Sequence, residues 1–240
     1  MRLDRAASLA GLTRSEAKKA VAAGRVRVSG QIARDPAMQV DPASVSVDGG
    51  APVDAGPSFI MVHKPAGVLT ATEDRRLPTV MDLLPDSMRR RGLGPVGRLD
   101  RDVTGLVLLT DDGQLAHRLI SPRWKAEKLY RAACEGRLTE DDVRAFAGGI
   151  ALSDFTARPA GLTILQAGED RSLADVTLTE GKFHQVKRMF AAICHPLISL
   201  QRLRIVPLAL DPDLQPGQWR RLTDSEIDAL KEECQMIYRQ

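Results

Sequence analysis

The chain has 240 residues, enough for one large domain or for a small one beside a medium one, and its 43% hydrophobic and 27% charged content is that of an ordinary soluble globular protein. Three scattered cysteines, Cys134, Cys194 and Cys234, argue against a disulfide framework or a zinc site and for a reducing compartment. The net charge of +3 is too small to identify a nucleic-acid partner, but residues 1–34 carry eight bases against two acids, residues 181–210 five bases and no acid, and the last thirty residues four bases and seven acids.

Residues 2–10 read as a short helix ended by Gly11. Arg2, Asp4 and Arg5 interrupt its apolar residues, so no signal peptide is expected there. No apolar run approaches the ~20 residues of a membrane span, and a cytoplasmic location follows. Thr13 with Glu16 forms a capping box for a second helix that stops at Gly24. Ala17, Ala20 and Val21 share its apolar side, and Arg14, Lys18 and Lys19 lie nearer the other. Val26 and Val28 then alternate with Arg25 and Arg27, a half-buried strand with a basic solvent side, closed by the turn Ser29-Gly30. Val45 and Val47 repeat the alternation. Such a basic face suits a phosphate backbone, though a merely solvated charge run gives the same pattern. Residues 49–57, rich in Gly and Pro, read as a linker. The expected division is a front domain over 1–48, the linker, and a second domain over 58–240.

The second domain opens with a buried strand, Phe59 to Val62, and a turn at Pro65 and Gly67, where Lys64 either meets a phosphate or caps the strand end. A helix is predicted from Thr79 to Leu84, and an exposed basic loop from Met88 to Gly94. Gly105 to Thr110 has a Leu-Val-Leu-Leu core, long enough for a buried strand and too short for a helix. Helices are predicted at Leu115 to Leu119, after Thr139 with its capping Asp142, over His184 to Cys194, and after the Thr223–Glu226 box. On the third of these, Val186, Met189, Phe190 and Ile193 form the apolar side, and Cys194 is expected to pack with them. Strands are predicted near Lys128 to Cys134, Arg158 to Leu165, Leu173 to Thr179 and Leu197 to Ile205. Successive strands on short turns argue for a largely antiparallel sheet with helices on its faces, an α+β fold.

Just before the central strand, Asp100 stands between Arg98 and Arg101. A carboxylate on the rim of a rigid strand, flanked by guanidinium groups, is placed as a nucleophile or general base needs to be. The same spacing also fits a surface turn with a local ion pair. The block Gly97-Arg-Leu-Asp100, followed by Val103-Thr-Gly-Leu, resembles the motif of pseudouridine synthases of the RsuA branch, which modify ribosomal RNA. Other blocks resemble that family in the same order: His63-Lys-Pro-Ala-Gly67, Glu127-Lys-Leu-Tyr130 and Glu180-Gly-Lys-Phe-His-Gln-Val-Lys-Arg-Met189. The front, with Arg2-Leu-Asp4, Thr13-Arg-Ser15 and Gly24-Arg-Val26, resembles an S4-like RNA-binding domain.

The resemblance implies a catalytic domain built on a mixed, mainly antiparallel sheet. It also implies isomerisation of a uridine by Asp100, with Lys187 as the partner that keeps Asp100 ionised and Tyr130 as the active-site tyrosine. The neighbouring Arg188 is the alternative partner, but adjacent helical residues point about 100° apart. RNA contacts are expected from Arg2, Arg14, Lys18, Lys19, Arg25 and Arg27 in front, and from Lys64, Arg98, Arg101, Lys182, His184, Arg188, Arg202 and Arg204 in the second domain. Nothing is oxidised in the reaction and no group is gained or lost, so neither cofactor nor metal is required. The expected partner is ribosomal RNA or a partly assembled ribosomal subunit, bound by a monomer. The stretch Val107 to Tyr130 is closest to the small-subunit member of the branch, which points to 16S rRNA. The competing readings are a 23S rRNA enzyme of the same branch, a non-catalytic ribosome-assembly factor, and a small-molecule hydrolase using Asp100. Val103, and Val206-Pro207 where a glycine is expected, depart from the family pattern; the second puts the turn after Ile205 in question.

Overall fold

The computed structural model describes residues 1–53, 57–89, 92–120 and 126–236. The chain divides into two compact units, residues 1–58 with 84–93, and residues 59–83 with 94–240. In the first, helices α1 (Leu3–Ser8) and α2 (Arg14–Ala22) pack beside a three-stranded antiparallel sheet of β1 (Val26–Val28), β2 (Gln31–Ile32) and β3 (Val45–Val47) in the order β2-β1-β3. Their core joins Leu3, Ala6, Ala17, Val21, Val26 and Val45. Thr13 and Glu16 exchange the two hydrogen bonds of the capping box. Ser29 and Gly30, both at positive φ, make the two-residue turn whose twist suits a hairpin.

The second unit is built on a nine-stranded sheet. Its strands are β4 (Phe59–Lys64), β5 (Gly94–Pro95), β6 (Thr104–Thr110), β7 (Lys128–Glu135), β8 (Gly161–Ala167), β9 (Arg171–Leu178), β10 (Leu197–Ile205), β11 (Leu208–Ala209) and β12 (Trp219–Arg221). The main order is β12-β4-β6-β10-β7-β9-β8, with β5 on β6 and β11 on β10. Helices α3 (Gly113–Ile120), α4 (Glu140–Gly148), α5 (Gln185–Ala192) and α6 (Asp224–Met236) flank it. Met61, Leu106 and Leu108 bury one face with Leu115, Leu119, Leu230 and Cys234 from α3 and α6. No helix among the described residues is long and apolar enough to cross a membrane.

Every recorded strand pairing is antiparallel except β6 with β10, which is parallel and spans only Gln201↔Thr104 and Arg202↔Gly105. The two halves of the sheet therefore meet at a short seam. Gly105 makes the seam possible, because a Cβ there would lie 2.2 Å from the Arg202 carbonyl oxygen and its φ is +107°. A side chain at this position would force the two strands apart.

Several elements differ from expectation. Thr79 to Leu84 is a short 3-10 turn at Val80–Leu83, because Asp82 accepts hydrogen bonds from the Thr79 N–H and hydroxyl and tightens it. The strand expected from Arg158 starts at Gly161 and runs on to Ala167, since Glu180 accepts the Arg158 N–H and draws that residue out of the ladder. Cys194 is exposed: α5 ends at Ala192 and Cys194 turns the chain at a φ of +63°. In the basic loop, Arg89 donates to the Leu84 carbonyl and pairs with Asp86, whereas Arg90 and Arg91 lie outside the described residues. Val206-Pro207 leaves the turn intact, because Ile205 pairs with Leu208 and Arg204 with Ala209 across it.

The last helix is tied to the sheet edge by Arg220 on β12, which donates to both carboxylate oxygens of Glu226 at 2.8 Å and to Asp211 at 2.5 Å. The guanidinium holds the Glu226 carboxyl down at about 2, against 4.5 for an ordinary glutamate. A depressed acid adds stability above its unfolded pKa and loses it as pH falls towards the folded one. Glu226→Gln should therefore cost roughly 1–3 kcal/mol at neutral pH, with the two proteins converging between about pH 4.5 and 2, as urea melts across that range would read. Gly105→Ala should cost more than about 3 kcal/mol, measured as a fall in the urea midpoint, because the clash is with backbone atoms that cannot rotate away.

Candidate active site

The loop between Leu99 and Val103 is held from below by a buried ammonium group. Lys64, at the end of β4 and with no exposed surface, donates from Nζ to the carbonyls of Pro65 (2.9 Å), Arg101 (3.0 Å) and Val103 (2.7 Å). Burial pushes its pKa down to about 8, against the opposing pull of Asp102 and Asp100. Thr70 adds a second clamp, exchanging hydrogen bonds with the Leu99 carbonyl (2.9 Å) and N–H (3.1 Å). A third joins the Gly67 N–H to the Arg101 carbonyl at 2.8 Å. Asp100 is thus presented on a loop whose backbone polar groups are satisfied from three directions.

Facing it is the start of α5. Buried Gln185 donates to Glu180 (2.6 Å) and accepts the Lys182 N–H (2.9 Å), fixing the turn that leads into the helix. His184 sits at the head of α5 in the left-handed region, with a φ of +51°. Val186, Met189 and Phe190 bury the inner face of α5, and Phe190 meets Phe146 edge to face at 5.2 Å. Lys187 therefore emerges toward the loop. Its Nζ lies 3.2 Å from Asp100 Oδ2 and 2.7 Å from Asp102 Oδ1, and His184 Nε2 lies 3.6 Å from Asp100 Oδ1. Burial works against the charged lysine, but the hydrogen bonds to Asp102 and Asp100 outweigh it and raise the Lys187 pKa. The same bond from Lys187 lowers that of Asp102.

Tyr130, on β7 and only 8% exposed, lines the same cleft. The cleft has two parts. A narrow pocket of about 80 Å³ runs between Asp100, Tyr130, Leu178, Leu200 and Lys187, and a wider cavity of about 440 Å³ shares Asp100, Tyr130 and His184 with it and extends to Lys128 and Arg202. Among the described residues no group of three His, Cys, Asp or Glu side chains could hold a metal ion.

The structure thus brings Asp100, Lys187 and Tyr130 together, and leaves Arg98 and Lys182 exposed on the rim, Lys182 lying 3.6 Å over the Phe155 ring. Arg188 points elsewhere, donating to Ser153 and Asp154. Arg101 is exposed and donates to the Gly67 carbonyl. One expected RNA contact, Lys64, needs correction, and three others are placed more closely. Lys64 is wholly buried and holds the loop, so neither a phosphate nor solvent reaches it. Arg202 is 2% exposed, its Nε bound to the Leu106 carbonyl, and it lines the wider cavity rather than the outer surface. Arg204 is paired with Glu127 at 2.6 Å. His184 faces Asp100 across the cleft rather than an outer surface.

In the first unit, Arg14, Lys18 and Lys19 are exposed on α2. Arg2 is bound to buried Asp4, Arg25 to Asp48, and Arg27 to the Gly30 carbonyl. Asp102, Gln185 and Glu180 escaped the sequence reading. Asp102 lies between the two halves of the Gly97–Leu106 motif, two residues after Asp100, and that second acid was the available signal.

Comparison with known proteins bears on this arrangement. Residues 58–192 match the family model described as RNA pseudouridylate synthase, and residues 1–45 match the S4 domain. An RNA pseudouridine synthase of Bacillus subtilis named as uncharacterised, YtzG, is 40% identical over 237 residues, spanning 97% of this chain and 99% of its own. The ribosomal small subunit pseudouridine synthase A of Escherichia coli is 40% identical over 233 residues, spanning 95% and 98%. A crystal structure of a pseudouridylate synthase superposes with a TM-score of 0.68 at 36% identity, covering 96% of this chain and 99% of that one. With a cleft built around Asp100 and relatives aligned end to end, the chain belongs to the RNA pseudouridylate synthase family and is an isomerase that carries an S4 domain ahead of its catalytic domain.

Proposed function

We infer that the protein isomerises one uridine of 16S rRNA to pseudouridine, with Asp100 as the reacting carboxylate and no cofactor. The observation that carries this reading is the Asp100–Lys187 pair at 3.2 Å on a clamped loop, beside Tyr130 in a pocket. The bond between the base nitrogen N1 and the sugar carbon C1′ breaks, the base turns, C5 joins C1′, C5 loses its proton and N1 gains one. Asp100 either attacks C1′ or removes the sugar proton that opens a glycal route, and Lys187 at 3.2 Å holds its carboxylate in place for either step. Tyr130 offers a ring for the extruded base and a hydroxyl for the C5 proton. A uridine within a helix must be flipped out to reach the pocket. The choice of 16S rRNA rests on the full-length similarity to relatives named for the small subunit. Residues 1–48 serve as the RNA anchor and 58–240 as the catalytic domain, acting as a monomer in the cytoplasm on rRNA or a partly assembled subunit; the expected linker 49–57 is no free tether as far as Val53, which is buried in the core of the first unit with its N–H on the Val45 carbonyl.

Tritium release from rRNA labelled at uridine C5, in the presence of a chelator, tests the reaction; no release from any rRNA or assembly intermediate would sink it. Asp100→Asn should reduce release by at least about a thousandfold, whereas Asp102→Asn should cost less than about tenfold, because it removes only a supporting partner of Lys187. Pseudouridine mapping in a deletion strain should lose one 16S site; loss from 23S rRNA instead overturns the substrate assignment. Deleting residues 1–50 removes eight bases and five acids and leaves 26 of each. The truncated protein should bind RNA more weakly, with a salt slope shallower by roughly 0.7 per lost phosphate contact. An unchanged affinity and slope would mean that the front domain is not the anchor.

A further inference from the structure

The wider cavity beside Asp100 contains two cations that the reaction scheme leaves without a task. Arg202 enters it from β10 and Lys128 from β7. Arg202 is 2% exposed, spends Nε on the Leu106 carbonyl, and leaves Nη2 buried with no hydrogen-bond partner among the described residues. Lys128 donates to the Ala126 carbonyl at 2.7 Å. The acids that share the cavity are committed: Asp100 faces Lys187 and His184, and Glu180 accepts from Gln185 and the Arg158 N–H. With Arg98 and Lys182 on the rim, four bases line the cavity against two acids. Burial and the neighbouring Arg202 push the Lys128 pKa down to about 8, as expected for a cation awaiting a counter-charge.

A buried guanidinium nitrogen without a partner is costly, and is tolerated where a ligand supplies the missing acceptor. Neutral uracil offers carbonyl oxygens but no charge, whereas a phosphodiester offers both. The cavity, at about 440 Å³, has room for a phosphate and its sugar. It also opens beside the same carboxylate that meets the target ribose.

Resting on the pseudouridine synthase reading, we propose that this cavity is a phosphodiester subsite, in which Arg202 Nη2 and Lys128 Nζ hold a phosphate of the RNA strand flanking the isomerised uridine. The subsite draws the backbone in beside Asp100 and fixes which nucleotide stands over the narrow pocket. Arg202 and Lys128 are thus positioning residues, acting through the strand.

The test uses a synthetic rRNA fragment centred on the isomerised uridine, with single neutral methylphosphonate linkages placed in turn on either side of it. In the wild-type protein one linkage should weaken binding roughly ten- to hundredfold. Arg202→Gln should weaken binding of the unsubstituted fragment by a similar factor, and that linkage should then cost nothing more. Lys128→Gln should show the same loss of sensitivity, and carries the cycle if Arg202→Gln fails to fold, as thermal melts would reveal. If every neutral linkage costs the variants as much as the wild type, the subsite is wrong. A fall in single-turnover rate with unchanged binding and no dependence on any linkage would also overturn it, pointing to stabilisation of the departing base. Wild-type tritium release from the unsubstituted fragment is read in parallel, so failure of the enzymatic reading is distinguishable from failure of the subsite.

Discussion

The ammonium of Lys64 is the constraint from which the rest of the candidate active site follows. A charged group with no exposed surface is normally costly, and here three carbonyls, two of them from the loop that carries Asp100, compensate for its lost hydration. The arrangement couples two strands that neighbour each other in the sheet but lie far apart in sequence. Because β4 and β6 are paired from Phe59↔Thr110 to Lys64↔Gly105, the end of β4 is fixed directly beneath the loop. A rigid sheet thus transmits its own precision to a carboxylate that must be positioned within a fraction of an ångström.

The seam between β6 and β10 explains why the cleft lies where it does. Only two residue pairs join the halves of the sheet, and Gly105 is needed at one of them. Asp100 precedes the seam on one side; Arg202 lies within it on the other, level with Tyr130 across the β10–β7 register. Residues from three strands therefore converge at the seam. Helix α5 then closes the cleft, its entry fixed by buried Gln185 and its polar edge aimed at Asp100.

Periodicity made the strands β6, β7 and β10 and the helix α5 legible in the sequence, because each is a run of apolar residues at a clear spacing. Capping boxes at Thr13 and Thr223 marked helix starts for the same local reason. What stayed hidden depends on distant partners. Nothing near Lys64 announces that its acceptors lie 37 and 39 residues away, so a phosphate contact and a strand cap looked equally apt. Arg202 and Arg204 alternate with apolar neighbours as surface residues would, and only the β10–β7 pairing turns the first of them inward. His184 looked like one more basic contact until its left-handed backbone turned it toward Asp100. Cys194 was misplaced because apolar spacing continues past the residue where the helix stops.

Lys187 stands between two carboxylates rather than one, and this matters once turnover begins. Under the proposed mechanism Asp100 would be esterified or protonated and cease to be an anion, and a lysine paired with it alone would then be left as an uncompensated charge in a partly buried cleft. Asp102, at 2.7 Å, remains as counter-ion throughout. In that scheme the cluster of two acids and one base would pass from a net charge of −1 to neutrality and never become positive. The cation can stay in place while its neighbour changes chemical state, ready to meet the carboxylate again when the product leaves.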